Sequence, residues 1–259
     1  MAASSPLTLT FLGSGTSTGV PAVGCDCAVC HSSDPKDKRL RASVLLQYDG
    51  RNVVIDTGTD FRQQALRVGL KTLDAVLFTH AHADHIFGLD DIRPYNFMTR
   101  RAVPVYADAT TWEGLRRVYH YVFAPSPYGG VPLVEPHVIT GPFELFGRRF
   151  EPFEVIHGRL PVVAFRFGCA AYVTDCNEIP DATVDGLRDL DVLVIDGLRF
   201  SDHNTHLTIP KALRYIDRIR PRRAILTHMN HEVRHATVDA GLPDGVELAY
   251  DGLVVEVAA

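Results

Sequence analysis

The sequence has no long hydrophobic run and no excess of positive charge. Hydrophobic residues make up 46% of the 259 residues, yet no apolar run approaches the roughly 20 residues of a membrane-spanning helix. Lysine and arginine number 26 against 31 aspartate and glutamate residues, a net charge of −5. The basic clusters at 36–41, 100–101 and 220–223 are short. These absences argue against a membrane protein and against a long nucleic acid as partner.

The amino terminus lacks the basic and apolar regions of a secretory signal peptide, since it reads Met-Ala-Ala-Ser-Ser-Pro. Cysteine is also scarce, with five residues, three of them at positions 25–30. Bunched cysteines favour a metal site in a reducing compartment over disulfides. We therefore expect a cytoplasmic protein.

Strand patterns lead the chain, and strands and helices alternate after them. That order predicts an α/β protein with two packed sheets and helices outside them. The final segment, 246–257, is predicted to form two strands that close the sheet around an Asp251-Gly252 turn. No linker divides the chain, so we expect one domain over residues 1–259. The other main predicted elements are strands at 7–12, 44–48, 53–55, 150–156, 170–174, 192–195 and 224–227, and helices at 60–68, 110–123, 181–190 and 209–219.

A cluster of metal-binding side chains follows the predicted strand at 76–79. His80, His82, Asp84 and His85 place three imidazoles and a carboxylate within six residues. Imidazole and carboxylate are preferred ligands of zinc and similar divalent ions. His80 and His82 are two apart, so on an extended chain they point the same way and can hold one ion. The next two residues can reach a second ion.

This pattern resembles the signature of the metallo-β-lactamase superfamily. The resemblance implies a four-layer αββα sandwich and three further ligands, each after a strand. His157, Asp175 and His228 supply them in the expected order. It further implies that His80, His82 and His157 hold one ion, that Asp84, His85 and His228 hold the other, and that Asp175 bridges them. Two zinc or manganese ions would then generate hydroxide from a shared water, with Asp84 counted among the catalytic residues.

A proton donor for the leaving group is expected on the loop at 202–208. His206 lies where phosphodiesterases of the superfamily carry a catalytic histidine, and His203 is the alternative. Both histidines also fit a role as polar loop residues without catalytic function.

A second metal site is predicted from Cys25, Cys27 and Cys30, within an insert at about 20–40. A tetrahedral structural zinc needs a fourth ligand, for which His231 is the candidate and His31 the competitor. The cysteine insert resembles that of the phosphoribosyl cyclic phosphate phosphodiesterase branch. The pyrroloquinoline quinone B proteins carry a similar cysteine cluster.

The leading hypothesis is a dinuclear metal-dependent hydrolase, most specifically a phosphodiesterase for a small cyclic or nucleotide-like phosphodiester. A thioesterase or lactonase of the glyoxalase II type is an alternative, because a thiolate leaves without a proton donor. A transfer-RNA 3′-processing endonuclease shares the metal motif, but the acidic balance argues against it. A non-hydrolytic accessory protein resembling the quinone B protein is a further alternative. The sequence does not decide the oligomeric state, and a homodimer is compatible with it.

Overall fold

Two seven-stranded sheets form the centre of the computed structural model, which describes residues 6–125 and 130–257. Residues 1–5, on which the expectation of no signal peptide mainly depends, lie outside the described residues. Strand order is β14-β1-β2-β3-β4-β5-β6 in the first sheet and β13-β12-β11-β10-β9-β8-β7 in the second. The strands are β1 (Leu7–Gly13), β2 (Ser43–Tyr48), β3 (Arg51–Ile55), β4 (Ala75–Leu77), β5 (Val103–Ala107), β6 (Val134–Val138), β7 (Phe143–Leu145), β8 (Arg148–His157), β9 (Leu160–Phe167), β10 (Ala170–Val173), β11 (Val192–Asp196), β12 (Arg223–Thr227), β13 (Val246–Leu248) and β14 (Val254–Val257).

Short helices connect many of these strands. None of the helices within the described ranges is long and apolar enough to cross a membrane. The α-helices are α1 (Phe61–Arg67), α2 (Ala83–Ile86), α3 (Arg93–Thr99), α4 (Ala109–Val118), α5 (His120–Phe123), α6 (Asp181–Gly186), α7 (Ile209–Ile219) and α8 (His235–Asp239), with short 3-10 helices at Pro35–Asp37 and Leu89–Ile92.

The alternation of apolar side chains explains the layers. Val53 and Ile55 belong to the core that the two sheets enclose, whereas Val54 belongs to a second core with Phe61 of α1 and Trp112 of α4. Successive side chains of a strand point to opposite faces, so an apolar β3 can be buried on both sides. Helices α6 and α7 contact the second sheet. The predicted four-layer αββα sandwich is thus confirmed.

Parallel pairing aligns the strand ends that matter for function. Strands β3, β4 and β5 run parallel in the first sheet, as do β10, β11, β12 and β13 in the second. The register pairs Val173 with Ile195, and Ile195 with Leu226. Because the carboxyl ends of parallel strands lie at one edge of a sheet, the residues that follow them are brought together.

The final segment closes two sheets, and not one as the sequence predicts. Strand β13 runs parallel to β12 in the second sheet, whereas β14 pairs antiparallel with β1 in the first. The Asp251 carboxylate accepts hydrogen bonds from the Ser14 backbone N–H and hydroxyl and from the Leu40 N–H. These long-range contacts hold the turn on loops of the first sheet, so the chain crosses between the sheets there.

Two helix predictions also need correction. The segment at 110–123 contains two helices, α4 and α5, because Tyr119 leaves the helical region at φ −104° and ψ 38°. The Tyr119 hydroxyl donates to the Ile86 carbonyl, a tertiary contact that the apolar pattern does not reveal. The helix at 181–190 is shorter than predicted and ends at Gly186. Helix α7 has the predicted bounds, with Thr208 as its N-cap.

Candidate metal centre

The polar residues of the candidate centre follow strands that end at one edge of the molecule. In the first sheet, Asp56 follows β3, and Thr79 and His80 lie just beyond β4. The second sheet contributes strand-end residues from four strands. These are His157 from β8, Asp175 after β10, Asp196 from β11 and His228 after β12.

The first group of candidate ligands contains His80, His82 and His157, whose donor nitrogens lie within 4.8 Å of one another. His80 Nε2 lies 3.0 Å from His82 Nδ1. The His157 ring centroid lies 5.7 Å from that of His80 and 5.1 Å from that of His82. The structure therefore brings together the three histidines that the sequence grouped, although His157 comes from the opposite sheet.

The second group contains Asp84, His85, Asp175 and His228, whose donor atoms likewise lie within 4.8 Å of one another. His85 Nε2 lies 3.1 Å from Asp175 Oδ2 and 3.2 Å from Asp84 Oδ2. His228 Nε2 lies 3.3 Å from Asp175 Oδ1. The Asp175 carboxylate also lies within 4.8 Å of a donor nitrogen of His157. It consequently faces both groups, as a bridging ligand would.

Buried nitrogens without hydrogen bonds test whether metal ions fit these groups. Nε2 of His85 and Nε2 of His228 are buried, and among the described residues neither has a hydrogen-bond partner. Both lie 3.1 to 3.3 Å from an Asp175 oxygen. Two ligand atoms bound ~2.1 Å from a tetrahedral ion lie about 3.4 Å apart. The separations and the donor types therefore fit divalent metal ions.

A hydrogen-bonded layer beneath the two groups orients their histidines. His85 Nδ1 donates to Asp56 Oδ2 over 2.8 Å. Asp56 also accepts from the Thr79 N–H at 2.9 Å and from the Thr79 hydroxyl at 2.8 Å. That hydroxyl lies 3.0 Å from His80 Nδ1. Contacts of this kind fix the tautomer and the ring orientation of histidine ligands, so Asp56 supports members of both groups.

The charges of the second group depend strongly on one another. Burial, the largest single influence, raises the pKa of Asp175, but His228 and His85 together lower that pKa well below its usual value. Burial lowers the pKa of His228, but Asp175 and Asp84 raise it to about 9. These histidines and carboxylates therefore stabilise each other's charged forms.

His206 lies beside both groups in an oriented position. Its Nδ1 donates to Asp196 Oδ2 over 2.9 Å. Its ring centroid lies 4.6 Å from that of His157 and 4.7 Å from that of His228. Because Asp196 holds the Nδ1–H, Nε2 is the nitrogen left to exchange a proton.

The alternative donor, His203, has a different environment. Its Nδ1 accepts from the Thr205 N–H at 3.3 Å, and its ring centroid lies 5.1 Å from that of His206. Within the described parts of the chain, no carboxylate orients His203. Of the two candidate histidines, His206 is thus the one that a carboxylate orients among the described residues.

The cysteine cluster forms a separate group with His231. Cys25 Sγ and Cys27 Sγ lie 3.2 and 3.3 Å from His231 Nδ1, and Cys30 completes a group within 4.8 Å. The competitor His31 instead pairs with Asp26 on the surface. Three thiolates and one imidazole are a donor set of structural zinc sites, and these residues fit such an ion.

One short loop connects the cysteine group with the candidate metal centre. His228 and His231 are separated by Met229 and Asn230. The Met229 carbonyl accepts from the Thr16 N–H, and the Asn230 carbonyl accepts from the buried Arg39 guanidinium. A substitution of His231 can therefore also affect His228, which lies on the same loop.

Sequence reasoning missed three supporting residues. From the sequence, Asp56 and Asp196 have no assigned role, and Thr205 is only one residue of the loop at 202–208. Thr205 contributes its carbonyl, which accepts from His157 Nδ1 at 2.6 Å. A charged residue directly after an apolar strand was the available signal for Asp56 and Asp196. A backbone carbonyl leaves no such signal, because every residue carries one.

The chain belongs to the family described as "Beta-lactamase superfamily domain", which matches residues 51–229. The fold and this family match define a metal-dependent hydrolase of the metallo-β-lactamase superfamily, and the groups of candidate ligands agree with that class.

Three relatives refine this placement. The chain is 46% identical to a crystal structure described as a new diphosphatase from the PhnP family, with a TM-score of 0.93 over 98% of this chain and 99% of the other. It is 41% identical to an octanoyltransferase of Porphyromonas gingivalis over 94% of this chain. It is 33% identical to a ribonuclease Z of Clostridium acetobutylicum over 38% of this chain. The chain spans about half of the octanoyltransferase (50%) and about a third of the ribonuclease (32%).

Proposed function

We propose that the protein is a metal-dependent phosphodiesterase that acts on a small cyclic or nucleotide-like phosphodiester. The observation that carries this proposal is the Asp196–His206 pair beside the two groups of candidate ligands. An alkoxide is a poor leaving group and needs a proton, whereas a thiolate does not. An oriented histidine next to the metal centre therefore suits a phosphodiester better than a thioester.

The chain's own residues would hold two ions and move one proton. His80, His82 and His157 would bind one ion, Asp84, His85 and His228 the other, and Asp175 both. Bound zinc or manganese ions would polarise the phosphoryl oxygens and lower the pKa of a water. Protonated His206 would donate from Nε2 to the leaving oxygen, while Asp196 stabilises the imidazolium and keeps the ring in place. Water would form the new P–O bond as the bond to the leaving oxygen breaks, so the products would be a phosphomonoester and an alcohol.

The relatives support a reaction at phosphorus. The diphosphatase covers nearly the whole chain at 46% identity, and the ribonuclease matches part of it. The octanoyltransferase extends well beyond the matched region, with only 50% of its length covered. The match therefore does not support acyl transfer by this chain.

We further propose that Cys25, Cys27, Cys30 and His231 bind a structural zinc, which gives three ions per chain. Elemental analysis of desalted protein after reconstitution with zinc measures this number. A single equivalent would contradict the dinuclear centre.

The decisive experiment compares parent and His206→Ala on two phosphodiesters. Bis(p-nitrophenyl) phosphate releases a stable phenolate, whereas a ribosyl or alkyl diester releases a poor leaving group. A general acid contributes roughly 10²–10⁴-fold for a poor leaving group. We expect His206→Ala to lower kcat on the ribosyl diester by this factor and to lower kcat on the nitrophenyl diester much less. The metal content should not change.

Two outcomes would overturn the proposal. Equal losses on both diesters would mean that His206 positions the phosphate or supports a ligand. Rapid hydrolysis of thioesters by the metal-loaded parent, without cleavage of either diester, would favour the glyoxalase II type of reaction.

A further inference from the structure

His203 lies at the outer side of the candidate proton donor. Its ring contacts that of His206 at a centroid distance of 5.1 Å. In the described chain, the ring contacts of His203 include neither His157 nor His228, both of which His206 contacts. His203 is also only half-buried, whereas His206 is buried. It therefore lies farther from the candidate ligands than His206 does, towards solvent.

Thr205 determines which nitrogen of His203 carries the proton. The Thr205 backbone N–H points at His203 Nδ1 over 3.3 Å. A neutral imidazole that accepts at Nδ1 carries its hydrogen on Nε2. Thr205 is itself held in place, because its carbonyl accepts from His157 Nδ1 at 2.6 Å. Among residues 6–125 and 130–257, no group accepts a hydrogen bond from His203 Nε2.

The surroundings favour the neutral form of this histidine. Burial lowers the pKa of His203, and the neighbouring His206 and Arg199 lower it further. A second imidazolium beside His206 would oppose the protonation that a general acid needs. A neutral N–H donor provides a hydrogen bond without that electrostatic cost.

We propose that His203 is a substrate-binding residue whose Nε2–H donates to an acceptor carried by the leaving group. This inference rests on the proposed phosphodiesterase function and narrows its substrate class. His206 would protonate the leaving oxygen itself, so His203, which lies beyond it, reaches atoms attached to that oxygen. A leaving group with sugar hydroxyl, base or phosphate oxygens would fit, whereas a simple alkyl group would not use this donor.

The test uses two substrates that share one phosphoryl half. Uridylyl-(3′,5′)-uridine releases a nucleoside with several acceptors, and the ethyl ester of uridine 3′-phosphate releases ethanol. One hydrogen bond of ordinary strength corresponds to roughly a 3- to 10-fold change in binding. We expect His203→Ala to raise KM for the dinucleotide by about that factor, to leave kcat nearly unchanged, and to leave the ethyl ester unaffected. His203→Gln, which places an amide N–H near Nε2, should restore the KM.

A second measurement is independent of turnover. The 15N chemical shifts of the His203 ring should identify Nε2 as the protonated nitrogen in the zinc-loaded protein near neutral pH. Protonation at Nδ1 would overturn the proposal.

The kinetic outcomes separate this inference from the proposed function. Suppose that the parent cleaves both diesters. The substrate-binding role is then wrong if His203→Ala keeps the parent KM for the dinucleotide. It is also wrong if His203→Ala loses the same fraction of its activity on both substrates. Failure of the glutamine variant to restore KM would also contradict the donor role. If the metal-loaded parent cleaves neither these diesters nor bis(p-nitrophenyl) phosphate, the phosphodiesterase proposal fails and this inference falls with it.

Discussion

Asp196 has two contacts through a single carboxylate oxygen. Oδ2 accepts from His206 Nδ1 at 2.9 Å and from the Cys176 N–H at 3.1 Å. The side chain is fully buried, and strand β11 supplies its backbone. Asp196 therefore sets the position of His206 from a rigid element. Its contribution can be tested without removing the histidine itself.

We predict that Asp196→Asn lowers kcat on a ribosyl phosphodiester by roughly 10²–10⁴-fold, as loss of the general acid does. The amide can present its NH₂ to Nδ1 and so stabilise the wrong tautomer of His206. Hydrolysis of bis(p-nitrophenyl) phosphate and metal content should change little. Asp202→Asn is the matched control, because Asp202 lies on the same loop as His206 and its exposed carboxylate pairs with Lys211 of α7. Equal activity of Asp196→Asn and Asp202→Asn would argue against a catalytic role for the Asp196–His206 pair.

Asp56 supports both groups of candidate ligands, since it contacts His85 directly and His80 through the Thr79 hydroxyl. Loss of an outer contact to a ligand typically lowers metal affinity 10–100-fold. We predict a loss of about this size for Asp56→Asn, measured by zinc titration against a competing chelator. Asp185→Asn, which removes an exposed carboxylate paired with Arg188, should keep the parent affinity. An unchanged affinity in Asp56→Asn would contradict the supporting role.

At the scale of elements, the sequence predicts best what repeats along the chain. Strands β1, β3 and β12 and helix α7 follow from local periodicity. The candidate ligands His157, Asp175 and His228 follow from the resemblance to the metallo-β-lactamase superfamily, which places a ligand after each of three strands in this order. The structure brings the seven predicted ligands of the candidate metal centre into two groups and the four of the cysteine cluster into a third.

Contacts between distant segments could not be read from local patterns. The C-terminal turn joins two sheets because Asp251 contacts Ser14, which is 237 positions away in sequence. Asp196 contacts His206 across a loop, and Thr205 contacts His157 through a carbonyl. Such pairings depend on the packing of the two sheets, which a single sequence does not specify residue by residue.

The cysteine insert contacts a loop 206 positions away, through Cys25 and His231. Because zinc binding at such a site contributes folding free energy, one missing thiolate should destabilise the protein. We predict that Cys27→Ser loses about one zinc per chain and melts at a lower temperature, while the catalytic ions remain. Cys169→Ser, outside the cluster, should keep its zinc. A variant that melts like the parent but loses all activity would instead mean that the cluster is catalytic.

The loop after β3 approaches the metal motif so closely that glycine is needed. A Cβ on Gly88 would lie 2.1 Å from the Gly58 carbonyl oxygen and 2.7 Å from Phe61 Cβ. Gly88→Ala must therefore shift the loop that follows Asp56. We predict a loss of ~1–3 kcal/mol in the free energy of unfolding, measured by urea denaturation. Gly141→Ala, where a Cβ meets nothing within 4 Å, is the control. Equal stability of the two variants would contradict the close approach.

At the scale of the molecule, both sheets contribute to one charged centre. His80 and His85 follow strand β4 of the first sheet, whereas His157, Asp175 and His228 lie at or after the ends of strands of the second. Metal ions bound there would therefore link the two halves of the sandwich. Without them, the carboxylates depend on protonated histidines, and stability becomes sensitive to pH.

The pKa of His228 rises from 6.5 to about 9 in the folded, metal-free protein, as Asp175 and Asp84 overcome the effect of burial. A raised pKa stabilises the fold fully below pH 6.5, and this contribution is lost as pH rises through about 9. The corresponding free energy is on the order of 3 kcal/mol.

We predict that metal-free parent loses stability between pH 6.5 and 9 relative to metal-free His228→Gln, which lacks the titrating group. Hydrogen bonds from the Cys30 N–H and His231 lower the pKa of Cys27 to about 6, so the contribution of Cys27 to stability increases as pH rises. This contribution is the same in both proteins and does not affect the comparison. Urea denaturation of chelator-treated protein at the two pH values measures the difference. Zinc-loaded parent should not show the loss, since ligands must be deprotonated to bind the ion and binding strengthens as pH rises. If the metal-free parent and His228→Gln respond to pH identically, His228 does not carry this charge.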